Sequence, residues 1–280
     1  MQMADTVAQA RAIFAALPRP LGFVPTMGAL HEGHLELVRA ARSRCASVGV
    51  SVFVNPLQFG PSEDLARYPR DLEGDREKLA RAGVDALFAP AADVMYPPGF
   101  ATAIDVGPIA GRFEGVARPT HFRGVATVVA KLLHVVRPDV LLLGQKDAQQ
   151  TAVLRAMVHD LAFPVTVEIV PTIREADGLA MSSRNAYLTP AQRAQAPTLH
   201  RALLALHDAL RQGAPKASAV EAARAALSPA AQPEYFDLVD AATFEPLDRL
   251  TGDAFVIGAA RFGTTRLIDN LHLIDGTPAA

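Results

Sequence analysis

The chain has 280 residues, half of them hydrophobic and a fifth charged, a composition that builds a sizeable core and excludes disorder. Its 27 Lys and Arg against 29 Asp and Glu leave a formal charge of −2, and there is no Trp, so neither a basic footprint nor an aromatic stacking platform points to nucleic acid. The single cysteine, Cys45, excludes an intrachain disulfide and a thiolate metal cluster, and no apolar run approaches the about 20 residues of a membrane helix, so a cytoplasmic chain without membrane or nucleic-acid partners is expected.

In chain order, short apolar runs bounded by Gly, Pro or polar turns lie at residues 21–24, 48–54, 86–89, 140–143 and 165–170, and read as buried parallel strands. Between them fall helical patterns. One begins near Gly33 and carries Cys45 in its apolar rhythm as a small buried hydrophobe. The clearest spans 121–136, where Val125, Val128, Val129, Leu132, Leu133 and Val136 repeat at helix spacing, and another spans 147–161. This alternation predicts a doubly wound, Rossmann-like parallel-sheet α/β domain over 1–172. Beyond it, 192–210 and 216–227 read as Ala/Leu-rich helices, followed by strands at 235–239, 254–262 and 265–272, the last two flanking a Gly263-Thr264 hairpin turn. A smaller α+β C-terminal domain over 173–280, acting as a lid, is expected, with its boundary near Pro171 to Glu175.

Four polar segments stand where chemistry is expected. After the first strong strand comes PTMGALHEGH (25–34), where a Gly-containing turn leads into a helix start able to bind a phosphate. His31 and His34 lie three apart and can face one corner, and Gly33 allows a flat ring close to the backbone. A capping or surface role for the pair stays open, and so does a metal role, although helical zinc pairs favour spacing of four. After the next strand, Asn55 and Gln58 suit a hydroxyl or carboxylate ligand or a plain turn. After the strand at 140–143, Lys146 can neutralise phosphate and Asp147 can cap the next helix or meet a ribose or Mg2+, with Gln150 one turn on. Near the boundary, Ser182, Ser183 and Arg184 offer two hydroxyls and a guanidinium on a Gly-containing loop, which is also common surface material.

Together, PTMGALHEGH (25–34), FVNPLQFG (53–60), THFRGV (120–125), GQKD (144–147) and READGLAMSSRN (174–185) resemble the pantothenate synthetase family of the HxGH nucleotidyltransferases, in order and across nearly the whole chain. The resemblance implies ATP-dependent joining of pantoate to β-alanine through a pantoyl adenylate, with Mg2+, in a homodimer. It implies catalytic roles for His31, His34, Lys146, Ser182 and Arg184, and ATP contacts from Pro25, Met27, Gly144, Asp147, Met181 and Ser183 besides. Gln58, Gln150, Asn55 and Met27 would hold pantoate, Arg118, His121 and Tyr68 would border the site, and Asp75 would stand on the metal side. One departure is Ala148, where a tyrosine is expected after Lys-Asp, with altered packing or adenine-side contacts as the consequence. Transfer of a nucleotide to a phosphorylated acceptor, or nucleotide binding without turnover, are the rival readings. The first would want more basic residues, and the second fewer charges at the phosphates.

Overall fold

A computed structural model describes residues 1–61 and 63–279. The apolar runs become a parallel sheet of β1 (Gln2–Ala4), β2 (Leu21–Thr26), β3 (Ser47–Val52), β4 (Ala86–Phe88), β5 (Val140–Gly144) and β6 (Thr166–Val170), in the order β1-β4-β3-β2-β5-β6. Among the described residues, seven α-helices accompany it: α1 (Val7–Ala15), α2 (Glu32–Arg44), α3 (Leu72–Arg81), α4 (Ala92–Met95), α5 (Glu114–Ala117), α6 (His121–Val136) and α7 (Ala148–Asp160). Successive strand side chains point to opposite faces, and both faces are covered. Phe23, Leu141 and Leu143 cluster with Phe14 of α1 and with Val129 and Leu132 of α6. Val24 and Leu142 cluster instead with Leu37 and Val38 of α2 and Leu79 of α3. The doubly wound α/β expectation is met.

The strand order also locates the crevice. From β2 the chain builds outward through β3 and β4, then crosses back to lay β5 and β6 on the other side. β2 pairs with β3 over six residues but with β5 only at Gly22↔Val140 and Phe23↔Leu141. Beyond Leu141 the carboxyl ends of β2 and β5 are unpaired with each other, at the switch point where open α/β sheets bind ligands.

The chain divides into two compact units, Met1–Gln145 with Gln149–Val170, and Lys146–Ala148 with Pro171–Ala280. The second unit holds α8 (Pro190–Gln195), α9 (Thr198–Arg211) and α10 (Lys216–Ala226). Its antiparallel sheet, ordered β10-β9-β8-β7, consists of β7 (Ala231–Asp240), β8 (Asp253–Phe262), β9 (Thr265–Ile274) and β10 (Thr277–Pro278). The expected single helix over 192–210 is two, because Pro197 has no amide to continue the hydrogen-bond ladder and instead stands just before α9. The hairpin falls as expected, with Phe262 and Thr265 paired across the turn. Leu199, Leu203 and Leu206 of α9 bury against Phe236, Leu238, Val256 and Leu273 of the sheet.

One charge lies inside this second core. Asp269 of β9 is 4% exposed and accepts two hydrogen bonds from the Arg174 guanidinium, at 2.7 and 3.0 Å. Arg174 also donates to the carbonyls of Gly178 and Asn270, at 3.1 and 3.0 Å. Burial pushes the Asp269 carboxyl up, but the His200 ring at 3.6 Å and the Arg174 guanidinium outweigh it and hold the carboxyl below its ordinary range. The network fastens a small hairpin, closed by Glu175 N–H to Leu179 O at 2.8 Å and Met181 N–H to Ile173 O at 3.0 Å. Replacing Asp269→Asn strips the guanidinium of its anion and should cost about 3 kcal/mol in urea denaturation. A midpoint equal to the parent's would remove this network from the supports of the fold.

Candidate active site

The loop after β2 is held from below by a carboxylate. Thr26 Oγ1 donates to Ser51 O (2.8 Å) and accepts from the Gly28 amide (3.2 Å). Gly28 and Ala29 then adopt the left-handed conformation, with φ of 83° and 50°. This turns the Ala29 and Leu30 amides onto Asp75 Oδ2 and Oδ1, each at 2.8 Å. Asp75 sits in the first turn of α3 at 1% exposure, and Lys78, one turn on, donates to Leu30 O at 2.8 Å. Both oxygens of Asp75, the expected metal-side group, accept from backbone amides, which satisfies a carboxylate this deeply buried. Among the described residues, no group of three His, Cys, Asp or Glu is placed to hold a metal.

His31 is the N-cap residue of α2, and His34 lies in its first turn with the two ring centroids 4.0 Å apart. The His31 amide donates to His34 Nδ1 at 3.3 Å. An amide N–H can only donate, so Nδ1 carries a lone pair and the neutral ring bears its proton on Nε2. His34 thus brings an Nε2–H donor to the positive end of a helix, an arrangement suited to negative charge on phosphate.

After β3, Asn55 caps a single helical turn, Pro56–Gln58. Asn55 is 1% exposed and Gln58 is 6% exposed. Asn55 Nδ2 donates to Gln58 Oε1 (3.0 Å) and Gly124 O (3.1 Å), and its Oδ1 accepts from Tyr96 OH (2.7 Å) and Leu57 N–H (3.3 Å). Asn55 thus stands behind Gln58 with both of its polar side-chain atoms engaged inside the protein. Gln58 Nε2 reaches Met27 Sδ at 3.1 Å, joining the β2 and β3 loops.

The three bordering residues brace this turn. Arg118 donates to Glu63 Oε2 at 2.5 Å and to Gln58 O at 3.2 Å. His121 Nδ1 bonds Gln58 O at 3.0 Å, and because a carbonyl only accepts, Nδ1 is protonated and Nε2 is left to accept from Arg118, 3.2 Å away. Burial pushes the His121 imidazole down to about 4, and the Arg118 charge adds to the effect against weaker opposition from the hydrogen bond to Gln58 O and from Glu114 and Glu63. Tyr68 is buried with its ring edge-on to Phe59, centroids 5.8 Å apart. At Gly124 of α6 a Cβ would lie 2.3 Å from Leu57 O and 2.6 Å from Gln58 N, so only glycine lets the helix press this closely on the turn. Nothing in the local sequence marks Tyr96 or shows what Gly124 of the THFRGV motif is for, since their partners lie far away along the chain.

Past β5, Gly144 ends the strand, and Gln150 lies half-buried in the first turns of α7. The neighbouring Gln149 is a framework residue, bonded to Ile109 O, Arg112 O and the Glu114 amide at 2.8 to 3.1 Å. In the second unit, Lys146 Nζ stands 3.2 Å from Asp147 Oδ1, and Asn270 Nδ2 grips the Lys146 carbonyl at 2.9 Å. Ala148 is buried at 5% exposure. Met181 continues the hairpin fastened by Arg174, and Ser182 caps the turn Ser183–Tyr187 by accepting from the Arg184 amide at 3.3 Å. Asp269 and Asn270, adjacent on β9, therefore anchor the Arg174 hairpin that leads to Ser182 and the Lys146 backbone respectively.

A family model described as pantoate-beta-alanine ligase matches residues 2–272. Pantothenate synthetase of Thermus thermophilus is 54% identical over 277 residues, covering 98% of this chain and 99% of its own length. That of Roseiflexus castenholzii is 52% identical over 276 residues, with the same coverage of 98% and 99%. The crystal structure of the Thermus thermophilus protein superposes with a TM-score of 0.93 at 53% identity, covering 99% of this chain and 100% of that one. A pantoate-beta-alanine ligase from Francisella tularensis, solved with beta-gamma ATP and beta-alanine, gives 0.77 at 34% identity, covering 99% and 98%.

The bracing predicts two outcomes. Gly124→Ala should displace the Asn55–Gln58 turn and raise the KM of whichever substrate Gln58 holds by roughly tenfold, the scale of one lost hydrogen bond, with thermal stability recorded alongside. Steady-state constants equal to the parent's would show that the turn can yield. Between pH 6.5 and about 4 the unfolded chain binds a proton at His121 that the native chain does not, so stability should fall on acidification by up to about 3 kcal/mol. His121→Asn, which keeps an N–H donor and does not titrate, should flatten that part of the stability curve; an unchanged slope would place the acid sensitivity elsewhere.

Proposed function

The chain belongs to the pantoate-beta-alanine ligase family, and on that premise we propose which of its residues carry each step. The reaction is the ATP-dependent condensation of pantoate with β-alanine to pantothenate, through a pantoyl adenylate, with release of pyrophosphate and AMP. The observation that most supports a site assignment is the pair of fixed donors, His34 Nε2–H after β2 and Gln58 Nε2 after β3, both at strand carboxyl ends beside the β2/β5 switch point.

In the first step a pantoate carboxylate oxygen attacks the α-phosphorus of ATP and the bond to pyrophosphate breaks. No protein nucleophile is needed, so catalysis rests on placement and on stabilising charge. His31 and His34 take the phosphates, with Pro25 and Met27 beside them. Gly144, Lys146, Asp147, Met181, Ser182, Ser183 and Arg184 complete the nucleotide contacts, with Lys146 and Arg184 as the basic groups. Gln58 and Gln150 hold pantoate's oxygens, with Met27 alongside and Asn55 supporting Gln58. In the second step the neutral amine of β-alanine attacks the acyl carbon of the mixed anhydride, the bond from that carbon to the AMP oxygen breaks, and the nitrogen gives up a proton to solvent. Closure of the Ser182–Arg184 segment would shield that anhydride from water. Mg2+ would accompany the triphosphate, with Asp75 as the expected metal-side carboxylate. It would neutralise phosphate charge. A homodimer working in the cytoplasm completes the proposal.

Pyrophosphate release from ATP and Mg2+ should require pantoate, and added β-alanine should sustain turnover to AMP. His34→Ala and Lys146→Ala should each slow pyrophosphate release by about 100-fold or more, the scale of losing a fixed charge stabiliser. Near-normal release in both variants would overturn the role assignment.

A further inference from the structure

The amide of Gln58 is oriented by a chain of hydrogen bonds whose polarity is fixed at two backbone groups. Asn55 Nδ2 faces Gly124 O at 3.1 Å, and a carbonyl can only accept. Asn55 Oδ1 faces the Leu57 N–H at 3.3 Å, and an amide N–H can only donate. The side chain therefore cannot be turned over. Two consequences run outward from it. Tyr96 OH, 2.7 Å from Oδ1, must be the donor in that bond. The Gln58 atom 3.0 Å from Nδ2 must be Oε1, which leaves Nε2 as the end of Gln58 not committed to Asn55. Its contact at 3.1 Å is the Met27 thioether, a weak acceptor that a ligand oxygen outcompetes.

Tyr96 is held for this task. It follows α4, its ring lies against Phe53 and Phe100 with centroids at 6.0 and 4.9 Å, and Lys131 Nζ stands over the rings of Tyr96 and Phe100 at 5.5 and 4.6 Å. Lys131 is itself tethered to Met95 O. Burial pushes the Tyr96 phenol upward from its ordinary value, so it stays protonated and keeps donating. Of the bonds that hold Asn55, the Tyr96 bond is the shortest.

We propose that Tyr96 is a positioning residue for the acid substrate: its hydrogen bond clamps Asn55, whose polarity the two backbone groups set, and so holds Gln58 in place with its NH2 group toward the ligand, where the site selects an oxygen acceptor, a carboxylate or hydroxyl. This rests on the assignment of Gln58 to pantoate. Tyr96 touches no substrate and contributes nothing to ATP binding. Its effect is confined to the acid and passes through one side chain.

The test is a double-mutant cycle with Tyr96→Phe, which keeps the ring and its packing and removes only the donor, and Gln58→Ala, read as separate KM values for pantoate and ATP. Tyr96→Phe should raise the pantoate KM roughly tenfold, as expected for one lost buried hydrogen bond, and leave the ATP KM within about twofold. In the Gln58→Ala background the same substitution should add less than about twofold, because the group it orients is gone. Gln58→Glu, with Tyr96 intact, presents only acceptor oxygens and a negative charge, and should weaken pantoate more than Gln58→Ala does. A pantoate KM unmoved by Tyr96→Phe, or losses that multiply in the double variant as a general packing defect would, overturns the proposal while the Gln58 assignment stands. Pantoate binding retained in Gln58→Glu overturns the polarity. A pantoate KM unmoved by Gln58→Ala brings down the assignment and the proposal together.

Discussion

Asp75 has 1% exposure and two oxygens, and the first unit's chemistry hangs from both of them. A carboxylate so enclosed must find donors, and it takes the amides of Ala29 and Leu30. Satisfying it obliges the backbone at Gly28 and Ala29 to turn left-handed, which fixes the direction in which the chain enters α2. His31 then arrives as the N-cap, its own amide meets His34 Nδ1, and the tautomer of His34 is settled. A group on one helix thus determines which nitrogen of a histidine on another is the donor. No bond in that sequence is unusual; the specificity lies in the backbone groups, whose roles as donor or acceptor cannot be exchanged.

The same economy appears on the neighbouring loop. Gly124 supplies a carbonyl to Asn55 and, by lacking a Cβ, lets α6 press on the turn that carries Gln58. His121 and Arg118 close on the Gln58 carbonyl from another side. The residues that frame the turn outnumber those free to meet a ligand, as preorganised sites require: the cost of ordering is met during folding and not at binding. In the second unit the adjacent pair Asp269 and Asn270 does comparable work for two segments well separated in sequence.

Much of this fold could be read from the chain because a parallel strand buried on both faces writes itself as an unbroken apolar run. The runs at β2 through β6 were that plain, and a helix start near Gly33 lies one residue from the observed Glu32. β1, with three residues and one buried side chain, leaves no such run. The break between α8 and α9 shows one proline overruling an otherwise continuous helical rhythm. The loops singled out for chemistry do lie after β2, β3 and β5, since strand ends and polar turns are local signals. What holds them is not local. Tyr96 reaches Asn55 across 41 residues, Asp75 reaches Ala29 across 46, Gly124 reaches Asn55 across 69 and Asp269 reaches Arg174 across 95. A periodicity window of 11–18 residues sees none of these pairs, so the bracing of Asp75 and Asn55 was not legible in the chain.

The grip of Asn270 on the Lys146 carbonyl bears on how such a chain can be recombined. Residues Lys146–Ala148 count with the second unit although the chain on either side of them counts with the first. A chimaera joined at Pro171, where the main boundary falls, would inherit Lys146 from one parent and the asparagine that holds it from the other. The heritable module is therefore discontinuous: three residues beyond β5 travel with the C-terminal 110 or so, and exchange between relatives must respect that pairing as it respects a reading frame.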